Sequence, residues 1–265
     1  MEYTSKIAQI KQQQLQDAAE GKPVAAETAP VSVRRLAAIK AEEIANGNQY
    51  AAQSDQPDST QVATPAELQT LEHYQAAMDA DLASLAQLKE VAEKAKAKKT
   101  MIETYWGFVK AYMDNGDNYP NSIAVRLVIW LFDVLDVERG LQLALHLIKQ
   151  GGHVTPPKFD RDLPTFVCDA LYDIAANWLK ADQSASPYLD TLVATIDNDK
   201  WELSPPVLSK MYVLLAKHKN RDGDYLTCVA LCEKAESVNP EGAGVKGLKA
   251  GALAKLKTAS QKAAE

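Results

Sequence analysis

The amino-acid sequence predicts an all-α protein, and three observations carry that expectation. Beyond residue 64, apolar residues recur at spacings of three and four. Gly, Pro and Asn punctuate these periodic stretches at about helix-length intervals. No stretch sustains the two-residue alternation of a half-buried strand. The expected architecture is a mobile N-terminal arm, a long amphipathic helix, and an antiparallel helical-hairpin domain containing one tetratricopeptide-like unit.

Taken in order, residues 1–64 are dominated by Gln, Ala, Ser, Asp and Pro, with too few apolar side chains to close a core. They read as a flexible arm. Two short helices are expected in it, over 5–20 (Ile7, Ile10, Leu15) and 32–45 (Leu36, Ile39, Ile44), the second stopped by Asn46-Gly47. At Thr64-Pro65-Ala66-Glu67 a capping box opens a helix expected over 65–100. Its apolar stripe is Leu68, Leu71, Met78, Leu82, Leu85, Leu88 and Val91, fading into the lysine run that ends at Lys99. A helix with one apolar stripe needs a neighbour, so these residues are the candidate oligomerisation surface.

An α-helical domain is expected over 101–240, with helices at 101–113, 122–137, 138–150, 164–180, 187–197, 205–219 and 225–237. An Ala/Lys-rich helix closes the chain over 241–265. The longer loop, 153–163, carries Pro156-Pro157. Within 205–242, Tyr212, Leu215 and Ala216, then Cys228, Cys232, Ala235 and Pro240, fall at the packing offsets of a tetratricopeptide hairpin. One such unit completes a domain; it does not make a solenoid.

With 46% apolar and 24% charged residues in 265, the chain has a globular composition and enough length for a core. The longest apolar stretch, 127–132, is far short of the roughly 18 to 20 residues a membrane helix needs. Residues 1–11 lack the apolar run of a secretory signal, and three cysteines do not describe a disulfide framework, so an intracellular setting is expected. A net charge of -6 keeps the molecule from attracting a polyanion as a whole. Any contact with nucleic acid must come from local basic patches, which remain effective because charges beyond about 8 Å are screened.

Those patches are present. Lys89, Lys94, Lys96, Lys98 and Lys99 gather in eleven residues, Lys246, Lys249, Lys255, Lys257 and Lys262 mark the tail, and Lys6, Lys11, Arg34, Arg35 and Lys40 mark the arm. Lysine rather than arginine favours phosphate contact over base reading. A solvated helix face is the alternative reading. Other motifs carry less. Cys228 and Cys232 lie one turn apart but lack two further zinc ligands, and read as packing thiols. Gly242-Ala243-Gly244-Val245-Lys246-Gly247 has dinucleotide-loop spacing, yet a helix precedes it instead of a strand. Asp169 and Asp173 sit one turn apart, with Asp133, Asp136, Glu138, Asp160 and Asp162 elsewhere; they are the weak candidates for a metal-dependent nuclease, and no spacing among them is diagnostic. No metal site is expected. The four histidines are scattered, and Tyr105, Phe108, Val109, Tyr112 and the tryptophans read as core.

The order of elements also resembles the GpM-type small terminase subunits (terminase endonuclease subunits) of cos-packaging, contractile-tailed temperate bacteriophages. The likeness rests on the lysine run at 93–99, Tyr105-Trp106-Gly107-Phe108-Val109, Leu131-Phe132-Asp133 with Gly140-Leu141, Thr155-Pro156-Pro157, and Asp222-Gly223-Asp224-Tyr225 through Lys246. It implies a homo-oligomer in the host bacterium's cytoplasm that binds double-stranded phage DNA at the cos site and recruits the large ATPase/nuclease subunit. No cofactor is implied for this chain; magnesium and ATP belong with the large subunit. Because no nuclease constellation is readable here, a non-catalytic DNA-recognition role is expected. The rival readings are a tetratricopeptide-like protein-interaction adaptor and an autonomous metal-dependent endonuclease using Asp169 and Asp173.

Overall fold

The structure, a computed structural model, describes residues 65–157 and 159–262. Among the described residues it has nine helices and no strand. The expectations for the arm, including Arg34 and Arg35, and for Thr64 of the capping box lie outside them.

Helices α1 (Pro65–Gln87) and α2 (Val91–Asp114) correct the sequence reading. The helix expected over 65–100 ends at Gln87, residues 88–90 leave helical geometry, and the lysine run opens α2 rather than closing α1. The physical reason is the core. In one straight helix Met78 and Tyr105 would stand about 40 Å apart at 1.5 Å per residue. The break folds both stripes onto one interior, where Tyr105 donates to Asp81 Oδ2 at 2.6 Å and the Tyr74 and Phe108 rings stack at 4.4 Å.

Helix α3 (Ser122–Asp133) is the hub: from Ile123 to Phe132 every residue except Arg126 is buried. Asn121 caps it by accepting the Ala124 amide. It runs antiparallel to α2, since Tyr105 meets Trp130 and Lys98 pairs with Asp133. The helix expected over 122–137 stops at Asp133 because Val134-Leu135-Asp136 turns back on it, with the Asp136 amide donating to Leu131 O at 2.9 Å. Helix α4 (Val137–Gln150) then packs on α3 at Gly140, where a Cβ would stand 3.3 Å from Leu131 Cβ. Helices α5 (Leu163–Lys180) and α6 (Tyr188–Asp199) follow.

Helices α7 (Pro205–Arg221) and α8 (Tyr225–Val238) form an antiparallel hairpin, tied by Ser209 Oγ donating to Ala235 O at 3.3 Å. Tyr212, Leu215, Ala216, Cys228, Cys232 and Ala235 are all buried in the chain's core. Helix α9 (Lys246–Lys262) lies on α8.

Candidate nucleic-acid interface

The start of α2 is the feature that stands out electrostatically. Lys98 pairs with Asp133, the last residue of α3, so the antiparallel register carries residues 91–97 about 10 Å past that point. Val91, at the tip, is 82% exposed. Lys89, Lys96 and Lys99 are exposed, Lys94 is half-buried, and none of the four pairs with a carboxylate among the described residues. Lys94 with Lys98, and Lys96 with Lys99, are like charges at neighbouring helix positions, and Lys94 follows Glu93, the acid of the first turn, near the positive end of the helix dipole. Each such placement costs a few tenths of a kcal/mol in the free protein.

Helix α9 divides its lysines. Leu248, Ala252 and Leu256 form the stripe that packs inward. Flanking it, Lys249 is held by Glu236 at 2.9 Å and Glu233 at 3.4 Å, and Lys255 lies 4.9 Å from the Tyr225 ring centre. Lys246 and Lys257 are exposed on the outer side. The structure therefore engages Lys98, Lys249 and Lys255 within the chain and leaves Lys89, Lys94, Lys96, Lys99, Lys246 and Lys257 available.

The apolar stripe expected over 65–100 finds its neighbour inside the molecule. Met78 and Leu85 are buried, Leu71, Leu82 and Leu88 pack against the core, and only Leu68 and Val91 of the seven remain exposed. Its amphipathicity is thereby accounted for without a second chain.

The two aspartates behave differently from each other. Asp169 is held by Arg161 and Lys210, while Asp173 is exposed on the rim of the same groove, about 390 Å³ and lined also by Thr165 and Tyr172. Two cations on Asp169 use the lone pairs a metal would need. Among the described residues, no group of three or more His, Cys, Asp or Glu is placed to hold a metal ion. Burial pushes the Cys168 and Cys232 thiols up to about 12, which keeps them protonated and unreactive. The 242–247 glycine motif forms the turn into α9, following a helix.

Two arrangements escape sequence reasoning because their members are far apart in the chain. Arg139 lies over the Trp106 ring at 5.0 Å and bonds Glu103 at 2.8 Å and Asp136 at 2.7 Å. Its groove, about 470 Å³, is walled by α2 and the α3–α4 turn and includes Lys99, Ile102, Leu135 and Tyr188. The second is a polar network in which Tyr112, Gln150 and His153 join the ends of α2 and α4. Asp136 and Arg139, three residues apart, are the one local signal for the first.

An all-helical domain with a projecting basic helix end is the class that fold and charge define. No helix among the described residues is long and apolar enough to cross a membrane. Over residues 75–203 the chain matches the sequence model of the family described as phage small terminase subunit. A curated relative, named as the probable terminase, endonuclease subunit of Haemophilus phage HP1 (strain HP1c1), is 29% identical over 186 residues. The match covers 65% of each chain, so this chain spans less than two thirds of the relative's length. No solved structure matches it.

Proposed function

We propose that the chain acts in phage DNA packaging as a small terminase subunit. It binds double-stranded viral DNA at the packaging site in the host cytoplasm, self-associates, and recruits the large ATPase/nuclease subunit. The observation that carries the DNA-binding part is the unpaired lysine cluster on the projecting start of α2: like charges at neighbouring positions are accommodated when phosphates lie against them. Lysines without a base-reading arginine suit phosphate contact, so the α2 end supplies affinity more than sequence choice. The family supports the packaging role.

Cutting, in this reading, belongs to the large subunit together with magnesium and ATP, although the relative carries an endonuclease subunit's name. Asp169 is committed to Arg161 and Lys210, which argues against its serving a metal. The test is the salt dependence of binding to a cos-containing duplex. With five phosphate contacts per protomer, log K falls against log salt with a slope of about -4 to -5. Replacing Lys94, Lys96 and Lys99 by Gln reduces that slope by about 3 without altering helical content. A slope near zero, or one unaffected by the triple replacement, refutes the assignment of these lysines. An adaptor that only binds protein shows no retention on DNA, and an autonomous nuclease nicks DNA with magnesium alone.

A further inference from the structure

Where the end of α2 meets the start of α1, a pocket of about 260 Å³ is walled by the rings of Phe108, Tyr112 and Tyr119 and by the carboxylates of Glu67 and Asp117. No cationic side chain is among the residues that line it. Hydrogen bonds hold the wall in place. The Tyr112 hydroxyl donates to Tyr119 O at 2.8 Å, the Asp117 amide donates to Tyr112 O at 3.1 Å, and Gln150 Nε2 donates to Asp117 O at 2.6 Å. The Tyr112 and Tyr119 rings meet edge to face at 5.0 Å.

Two groups in this frame have no partner inside the chain. Tyr119 is only 4% exposed, yet its hydroxyl makes no hydrogen bond among the described residues, whereas a buried phenol ordinarily finds one. Burial, then Asp117 and Glu67, push that hydroxyl up from its usual 10.0, so it stays protonated and faces negative charge. Asp117 has no ion-pair partner among the described residues either, and Lys110, the last lysine of α2, is taken by Asp114. The last turn of α2 carries no basic residue to meet the negative end of its dipole. Carboxylate, helix end, ring faces and an unused hydroxyl therefore act on one volume, and each of them favours a cation. A hard metal ion is the poorer match, because among the described residues no group of three or more His, Cys, Asp or Glu is placed to surround one. An alkylammonium matches better: its methylenes lie on the rings while its N–H groups meet the carboxylate and the hydroxyl. The volume is under the roughly 300 Å³ at which pockets for drug-sized ligands begin, so the ligand is a short chain.

We infer that this pocket binds a small linear diamine, with an ammonium group on Asp117, the Tyr119 hydroxyl as its second acceptor, and the methylenes against the aromatic wall. The inference does not depend on the packaging reading, which stands or falls on retention of the chain by the cos duplex. The measurement is isothermal titration calorimetry of the full chain with putrescine, with butanediol as the uncharged counterpart and magnesium chloride as the inorganic cation. One saturable site per chain is expected for putrescine and none for the diol over the same concentrations. Tyr119→Phe deletes only a hydroxyl without a partner, so the unfolding temperature holds while Kd for putrescine rises about tenfold. Asp117→Asn raises it by about tenfold or more. Absence of a saturable putrescine site overturns the inference, as does a diol that binds equally well or an affinity unchanged in both variants. Magnesium binding at the same site with equal affinity would give the pocket to inorganic cations. A terminally blocked lysine that binds more tightly than putrescine would give it to a protein side chain, and either result removes the diamine.

Discussion

His153 shows how a single side chain couples elements that meet nowhere else in the sequence. The Asn121 amide approaches its Nδ1 at 3.4 Å, so Nδ1 is the acceptor and Nε2 carries the hydrogen toward Gln150 Oε1 at 3.1 Å. Gln150 in turn donates to Asp117 O at 2.6 Å and lies 2.9 Å from the Tyr112 hydroxyl. Around the imidazole stand Tyr112 on α2, with ring centres 6.5 Å apart, and His146 and Gln150 on α4, and the neutral ring is the form they accommodate. Burial, with His146 adding to it, pushes His153 down from 6.5 to about 4. Between those values the unfolded chain binds the proton and the folded chain does not, so stability rises with pH. The contribution is complete above about pH 6.5 and is lost as pH falls toward 4. After allowance for the ring's partial exposure it amounts to about 1–2 kcal/mol. Urea unfolding at a series of pH values from 7 to 4 checks this: His153→Gln flattens that part of the dependence, and an equal pH slope in both proteins contradicts it.

Among the elements, α1 is the one whose role changes between sequence and structure. Its stripe signals a missing neighbour, and the neighbours are α2 and α3 of the same chain. Met78→Ala removes a fully buried side chain and costs about 2–5 kcal/mol. Because that side chain lies in the protomer's own core, the loss in unfolding temperature is the same at every protein concentration. A drop that shrinks as concentration rises would place Met78 in an interface between copies. The existence of nearly all the described helices is legible in the sequence because Pro, Gly and Asn sit at their ends, as with Asp162-Leu163-Pro164 before α5 and Asp222-Gly223 after α7. The break between α1 and α2 is not, since Leu88-Lys89-Glu90 holds no breaker and each is an adequate helix former; tertiary packing decides it. The lysine cluster is legible as composition. Which of its members remain free is not, because Asp133 lies 35 residues from Lys98, and Glu233 and Glu236 reach Lys249 across the α8–α9 turn.

For the whole molecule, a net charge of -6 and a basic helix end make opposite demands on a polyanion. Pairing within the chain leaves a few cations to act locally, and screening over about 8 Å separates them from distant carboxylates. A handful of lysine–phosphate contacts from one protomer is weak at physiological salt; linking several protomers raises the effective concentration of the second and later contacts. Since most of the α1 stripe is engaged at home, association has to draw on other surfaces, and DNA itself is one template for it. The expected outcome is therefore a mass that depends on both ligand and salt. With a cos-containing duplex at low salt, the purified chain gives complexes holding several protomers, and high salt returns them toward the mass of the free protein. Native mass spectrometry or light scattering reads both states. A single protomer per duplex at low salt would remove multivalency from the account and require one chain to supply the whole affinity, with the available candidate lysines divided between α2 and α9.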